Sequence, residues 1–226
     1  MPSSATGAHW TSYARAACRK SSPPSNLSGV APSLEAPRRG AAVADLSWDP
    51  SAAPGEAFSP TFVSAGQTSG RFDLGDRPPV LYLAESREDA LGEKLQRFRG
   101  RRLTNLHLRE FGHGLAIVPV TPASRVVESV ADLTDPAILV RLDVRPDLLA
   151  SSDRSATQAI GRRLHNEGWS GLHWSSAITG DWHTTVVFLD PRRVGPGELS
   201  FGVPELLTLR HPAVVRCAKL LGIESA

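Results

Sequence analysis

An arginine, a tyrosine and a glutamate follow one another at eleven-residue intervals, as Arg71, Tyr82 and Glu93. A guanidinium presents a planar fork suited to anions. A tyrosine offers a ring to stack on and a hydroxyl for one polar contact. A carboxylate can accept hydrogen bonds from hydroxyls and stabilise a developing positive centre. Each also has an ordinary structural reading. Arg71 could pair with Asp73 or Asp76 at a turn, Tyr82 could sit half-buried in a strand, and Glu93 could be a solvated helix carboxylate. Farther on, Ser176 lies between His173 and His183. No GxSxG elbow surrounds it and no base is placed to make it a nucleophile, so it reads as a hydrogen-bonding group.

The elements around these residues must position them. Gly70-Arg71-Phe72-Asp73 reads as a short extended piece, and Gly75 to Pro79 as a turn, because Gly permits positive φ and proline fixes φ. Val80–Ala84 is a compact apolar strand. Pairing of the two pieces as a hairpin about Asp76-Arg77 would set Arg71 close to opposite Tyr82, about 5 Å apart at Cβ. Ser86 with Asp89 three residues on forms a capping-box-like start to a helix over 86–99. Leu91, Leu95 and Phe98 form its apolar stripe. Glu93 points off that stripe, toward water or a cleft, about 10 Å along the axis from the cap.

Downstream, Leu115 to Val120 and Ala137 to Val144 read as strands, and Pro146 to Ser152 as a loop. Asp153 or Ser155 caps a second helix carrying Ile160 and Leu164, with Gly168 as its C′ residue. Gly171 to Trp174 and Thr184 to Asp190 are further strands. Pro212 suits the first position of a last helix over 213–221. Strands outnumber helices and are short, which predicts an α+β fold with a twisted mixed or antiparallel sheet.

Composition bounds the rest. The chain has 226 residues, 41% of them apolar, and a formal charge of +2. The first 50 residues hold five basic and three acidic groups, and 28 of them are Ala, Ser, Pro or Gly. Residues 1–57 therefore read as a disordered leader, 58–192 as the folded domain, and 193–226 as an extension with a short helix. No clustered basic face, RNP-like aromatic motif or C2H2 spacing points to nucleic acid. No apolar run approaches a membrane span and no signal-peptide h-region is visible, which predicts a cytoplasmic protein. Cys18 and Cys217 lie at opposite ends, and the seven histidines show no HExxH spacing, so no metal site is expected from local motifs.

Several pieces, in order, resemble the RES domain, named for the arginine, glutamate and serine its members share. They are Gly70-Arg71-Phe72-Asp73, Val80-Leu81-Tyr82-Leu83-Ala84, Ala90-Leu91-Gly92-Glu93, Thr157-Gln158-Ala159-Ile160-Gly161, and Gly168 to Ser176 leading into Val186-Val187-Phe188. Arg71, Tyr82 and Glu93 match the family spacing, and Ser176 falls at its serine. The resemblance covers roughly residues 58–190. It implies an ADP-ribosyltransferase-like fold and an NAD-consuming toxin of a toxin–antitoxin pair, acting by phosphorolysis, hydrolysis or ADP-ribose transfer. NAD would be substrate and not cofactor. The implied partner is an antitoxin of helix-turn-helix type, and a homodimer is compatible with the family.

On that resemblance Arg71, Glu93 and Ser176 are the catalytic candidates, and Arg71, Tyr82 and Ser176 the NAD-binding ones. Arg71 would clamp phosphate, Tyr82 would stack on nicotinamide, Glu93 would stabilise the ribosyl cation, and Ser176 would bond phosphate or ribose. Two positions depart from the family. Its arginine upstream of the GRF motif is absent at Leu46 to Ser51; either Arg38 or Arg39 substitutes from farther back, or this position is lost. The proline before the serine is Ser175.

Overall fold

The computed structural model describes residues 40–44, 69–75, 78–110, 113–176, 178–195 and 197–225. Strands β1 (Gly40–Ala44) and β2 (Val80–Ala84) precede three short ones, β3 (Arg102–Leu103), β4 (Arg109–Glu110) and β5 (His113–Gly114). Then come β6 (Ala116–Pro122), β7 (Val130–Asp132), β8 (Gly171–Ser175) and β9 (His183–Phe188). The series closes with β10 (Leu199–Phe201), β11 (Glu205–Leu206) and β12 (Glu224–Ser225). The helices are α1 (Arg87–Leu95), α2 (Ser124–Glu128), α3 (Pro136–Arg141), α4 (Pro146–Ala150), α5 (Arg154–Asn166) and α6 (Pro212–Leu221).

Among the described residues the main sheet has eight strands in the order β10-β6-β1-β2-β9-β8-β7, with β11 also on β6. Its pairings are antiparallel except β7 with β8. The fold is thus α+β with a mixed sheet and flanking helices. Among the described residues no helix is long and apolar enough to cross a membrane.

Alternation along the central strands separates two cores. Val80 and Tyr82 of β2, Leu172 and Trp174 of β8, and Val186 and Phe188 of β9 face Ile160 and Leu164 of α5. Leu83, Val187 and Val130 face the other way, against Val126 and Val127 of α2. A third cluster joins Leu91 and Leu95 of α1 to Val214, Cys217 and Leu221 of α6.

Several local expectations are corrected. Gly70 to Gly75 is a turn and not a strand, and β2 pairs instead with β1 and β9. Side chains satisfy the backbone of that turn: Asp73 Oδ2 accepts from Gly70 N at 2.6 Å, and Tyr82 Oη accepts from Phe72 N at 3.0 Å. The apolar run at 137–144 is helix α3 and a turn. Asp135 caps that helix by accepting from Ala137 N, and Pro136 stands at its start, where a missing N–H costs nothing. Pro146 likewise opens α4, without a side-chain cap, where a loop was expected.

The ends are also more integrated than composition suggested. Gly40–Ala44 lies within 1–57 yet fills the sheet between β2 and β6. Its small residues read as low complexity, but five of them suffice for a strand. The 193–226 segment supplies β10, β11 and α6, and α6 packs on α1.

Candidate active site

Ser86 caps α1 by accepting from Asp89 N at 3.0 Å. The helix runs to Leu95 and continues as a 3-10 turn over Gln96–Phe98. Its apolar side is fixed by Leu91 and Leu95 in the α6 core. Glu93 is therefore turned outward and exposed.

Ser176 follows β8 directly. The Ser176 N–H donates to Trp182 O at 2.6 Å and closes the loop into β9. The Ser176 hydroxyl donates to Glu93 Oε1 at 3.0 Å and accepts from Ile178 N at 3.2 Å. Gln96 Nε2 donates to Glu93 Oε2 at 3.3 Å. Glu93 is thus held by one neighbour on each oxygen, with Ser176 buried beneath it. Such fixing orients a carboxylate before any ligand arrives.

The loop between these elements touches α1 at Gly92. A Cβ there would overlap the Trp182 ring, so glycine lets the indole lie against the helix beside Glu93. Trp182 and Ile178 are partly buried against the same core as Leu91.

Tyr82 and Arg71 form a second group. The Tyr82 hydroxyl donates to Asp73 Oδ1 at 2.9 Å while it accepts from Phe72 N. Burial and the Asp73 charge push its pKa far up, so it stays a neutral phenol. Its ring meets Trp174 edge-on at 6.5 Å, and Phe72 tilts against the same indole at 4.6 Å. Trp174 stands two residues before Ser176, which places both groups along one side of the sheet.

Arg71 is not placed opposite Tyr82 in a hairpin. Its Nη2 donates to Leu149 O and, at 2.9 Å, to Ser151 O, closing the C-terminal end of α4. Asp73, one of its anticipated partners, is instead taken by Gly70 and Tyr82. No direct bond joins the Arg71–Tyr82 group to the Glu93–Ser176 pair among the described residues. The Leu46 to Ser51 stretch and Arg38 and Arg39, raised for the missing arginine, lie outside the described residues, as does Asp76.

Three residues that the sequence placed only in motifs, Gln158, Gly161 and Asp89, gain specific contacts in the structure. Gln158 Nε2 donates to Gly70 O at 2.9 Å, tethering the Arg71 turn to α5. Gly161 permits the same approach, since a Cβ there would stand 3.0 Å from Phe72 O. A glycine inside an amphipathic helix is the sequence signal for such contact. Asp89 is buried one turn before Glu93. Burial pushes its carboxyl up to about 7, and the charges of Glu93 and Glu85 add to the effect.

The fold also gathers Glu85, His173 and His183, far apart in sequence, into one group. No local ligand spacing could have shown this, since strand pairing brings them together.

The RES domain family model matches residues 42–198. No curated protein matches the chain. The structure is similar to a chain of the crystal structure of the M. tuberculosis MbcT–MbcA toxin–antitoxin complex. The TM-score is 0.55 at 19% identity, covering 81% of this chain and 88% of that one. At that identity the likeness speaks for the fold alone. With more than half of its length matched by the family model, the chain belongs to the RES domain family.

Proposed function

We propose that this chain cleaves the nicotinamide–ribose bond of NAD, as the toxin of a toxin–antitoxin pair. The observation that carries the reading is the Ser176–Glu93 hydrogen bond, which orients an exposed carboxylate of α1 beside the C-terminal end of β8. Nicotinamide leaves as a neutral base, so the reaction needs positioning and charge stabilisation more than a strong acid. Glu93 would bond the ribose hydroxyls and stabilise the oxocarbenium-like centre. Ser176 would hold that carboxylate and exchange its hydrogen bond for one to ribose or phosphate. Tyr82 and Arg71 would shape the binding face, Tyr82 with a neutral hydroxyl and Arg71 through the turn it anchors. Water or phosphate would take the ribosyl group, or another acceptor in the transferase variant of the same chemistry. The structural neighbour is a toxin–antitoxin complex, which supports an antitoxin as protein partner, of helix-turn-helix type as in the family.

One observation favours a second reading, a nucleotide-binding module without turnover. The Arg71 guanidinium is already engaged by two backbone carbonyls, which leaves less of its fork for a phosphate. Nicotinamide release from NAD by the purified chain, with and without phosphate, separates the readings. Release that requires phosphate identifies phosphorolysis, and release without it identifies hydrolysis. ADP-ribose binding with no release supports the module.

A further inference from the structure

Glu85, His173 and His183 converge on the side of the sheet away from Tyr82 and Trp174. His173 follows Leu172 and precedes Trp174 on β8, so alternation turns it to the opposite face from both. The ladder sets His173 opposite Thr185 and Ser175 opposite His183. Glu85 N donates to His183 O at 3.3 Å, which extends the β2–β9 pairing by one residue. Three donors, one at the end of β2, one at the start of β9 and one in the middle of β8, thus share one small space. Their ligand atoms all lie within 4.8 Å of one another. Glu85 Oε2 is 3.2 Å from His183 Nδ1, and Glu85 Oε1 is 3.9 Å from His173 Nε2. The two imidazoles are nearly parallel, 22° apart, with centroids at 5.3 Å.

We propose that these three residues bind a divalent ion of the zinc class. Two imidazoles and one carboxylate form a donor set that zinc accepts as three protein ligands with a fourth position open. Zinc bonds of about 2.0–2.1 Å in tetrahedral geometry put ligand atoms about 3.4 Å apart. The observed 3.2 and 3.9 Å separations, each to a different oxygen of Glu85, bracket that value, and with the three ligand atoms within 4.8 Å of one another closure asks for side-chain shifts of about an ångström. His173 Nδ1 lies 2.9 Å from Thr185 Oγ1. A hydrogen-bond partner on one ring nitrogen is the usual device that aims the other at a metal. The carboxylate supplies one negative charge to offset a dication. His173 is fully buried, while the side chains of His183 and Glu85 are 23% and 19% exposed, which leaves an entry path. None of the three belongs to the Arg71, Tyr82, Glu93 and Ser176 set, so the site is separate from the NAD reading and independent of it. It lies at the foot of α1 and at the start of β9, the two elements that carry Glu93 and close the Ser176 loop.

The test is zinc titration of the full chain, without a histidine tag and stripped with a chelator, followed by calorimetry. The parent should take up one equivalent per chain and melt at higher temperature with zinc than without. His183→Gln and Glu85→Gln, both at partly exposed positions and checked for fold by circular dichroism, should each weaken binding at least tenfold. In the parent itself, added zinc should shift the ring nitrogen signals of His173 and His183 in a histidine-labelled sample. Absence of stoichiometric uptake overturns the proposal. So does unchanged affinity in the folded variants, or a parent whose His173 and His183 signals do not move. All these readouts are blind to NAD turnover, so failure here and failure of the proposed activity are distinguishable.

Discussion

The Ser176 hydroxyl donates to the Glu93 carboxylate at 3.0 Å and so joins the end of β8 to α1. The two residues are 83 positions apart. A hydrogen bond to a charged group contributes about 1.5–3 kcal/mol. Ser176→Ala should therefore lower kcat/KM for NAD by about ten- to a hundredfold, with the fold intact by circular dichroism. An unchanged kcat/KM would mean that Ser176 does not act through Glu93.

Arg71 closes the end of α4 through two carbonyls. Both bonds leave from the one nitrogen Nη2 at the tip of the guanidinium, and the shorter lysine side chain does not carry its ammonium that far. Arg71→Lys should lower unfolding free energy by about 1–3 kcal/mol in urea titration. A variant as stable as the parent would remove the structural account of Arg71 and leave only an anion-binding one.

Gly92→Ala should force the Trp182 ring off α1. Overpacking of this kind costs about 1–3 kcal/mol. Trp182 O also accepts the Ser176 N–H, so activity should fall together with stability. Tryptophan fluorescence and thermal melting of the variant check both effects. A melting curve and emission spectrum like the parent's would show that the ring has room to move.

Asp190 gives the acid dependence. The Arg192 backbone N–H donates to Oδ1 at 3.0 Å, and His165 Nε2 lies 3.2 Å from Oδ2. The Arg192 hydrogen bond first, and His165 after it, hold the Asp190 pKa below the ordinary carboxylate value of about 3.9. A depressed folded pKa contributes stability that is present above the unfolded value and lost as pH falls through the folded one. Asp190→Asn should flatten the loss of stability below about pH 4, measured as melting temperature against pH. A parent and variant with parallel acid curves would contradict this.

Helix starts were the most legible feature. Ser86 and Asp153 both act as caps, accepting the N–H groups their positions suggested. Pro212 opens α6 and Gly222 closes it with φ of 66°. The order of the RES motifs likewise marked the elements that line one side of the sheet. The 70–80 segment misled because turn and strand compete there. Asp73 and Tyr82 satisfy the backbone donors of Gly70 and Phe72, and a side chain's reach across nine or ten residues is invisible to periodicity. The 137–144 run misled because a short apolar stretch fits helix or strand equally, and the Asp135-Pro136 start signal was the deciding one. Glu85, His173 and His183 meet only after three strands have paired.

The most direct measurement is nicotinamide release from NAD by the parent chain beside Glu93→Gln, with and without phosphate. The account predicts release by the parent and loss of at least a hundredfold in the variant. The glutamine keeps the shape but not the charge that would stabilise the ribosyl centre, a loss of about 3 kcal/mol or more. Equal release by both proteins would contradict the assignment of Glu93, and no release by a folded parent would contradict the activity itself.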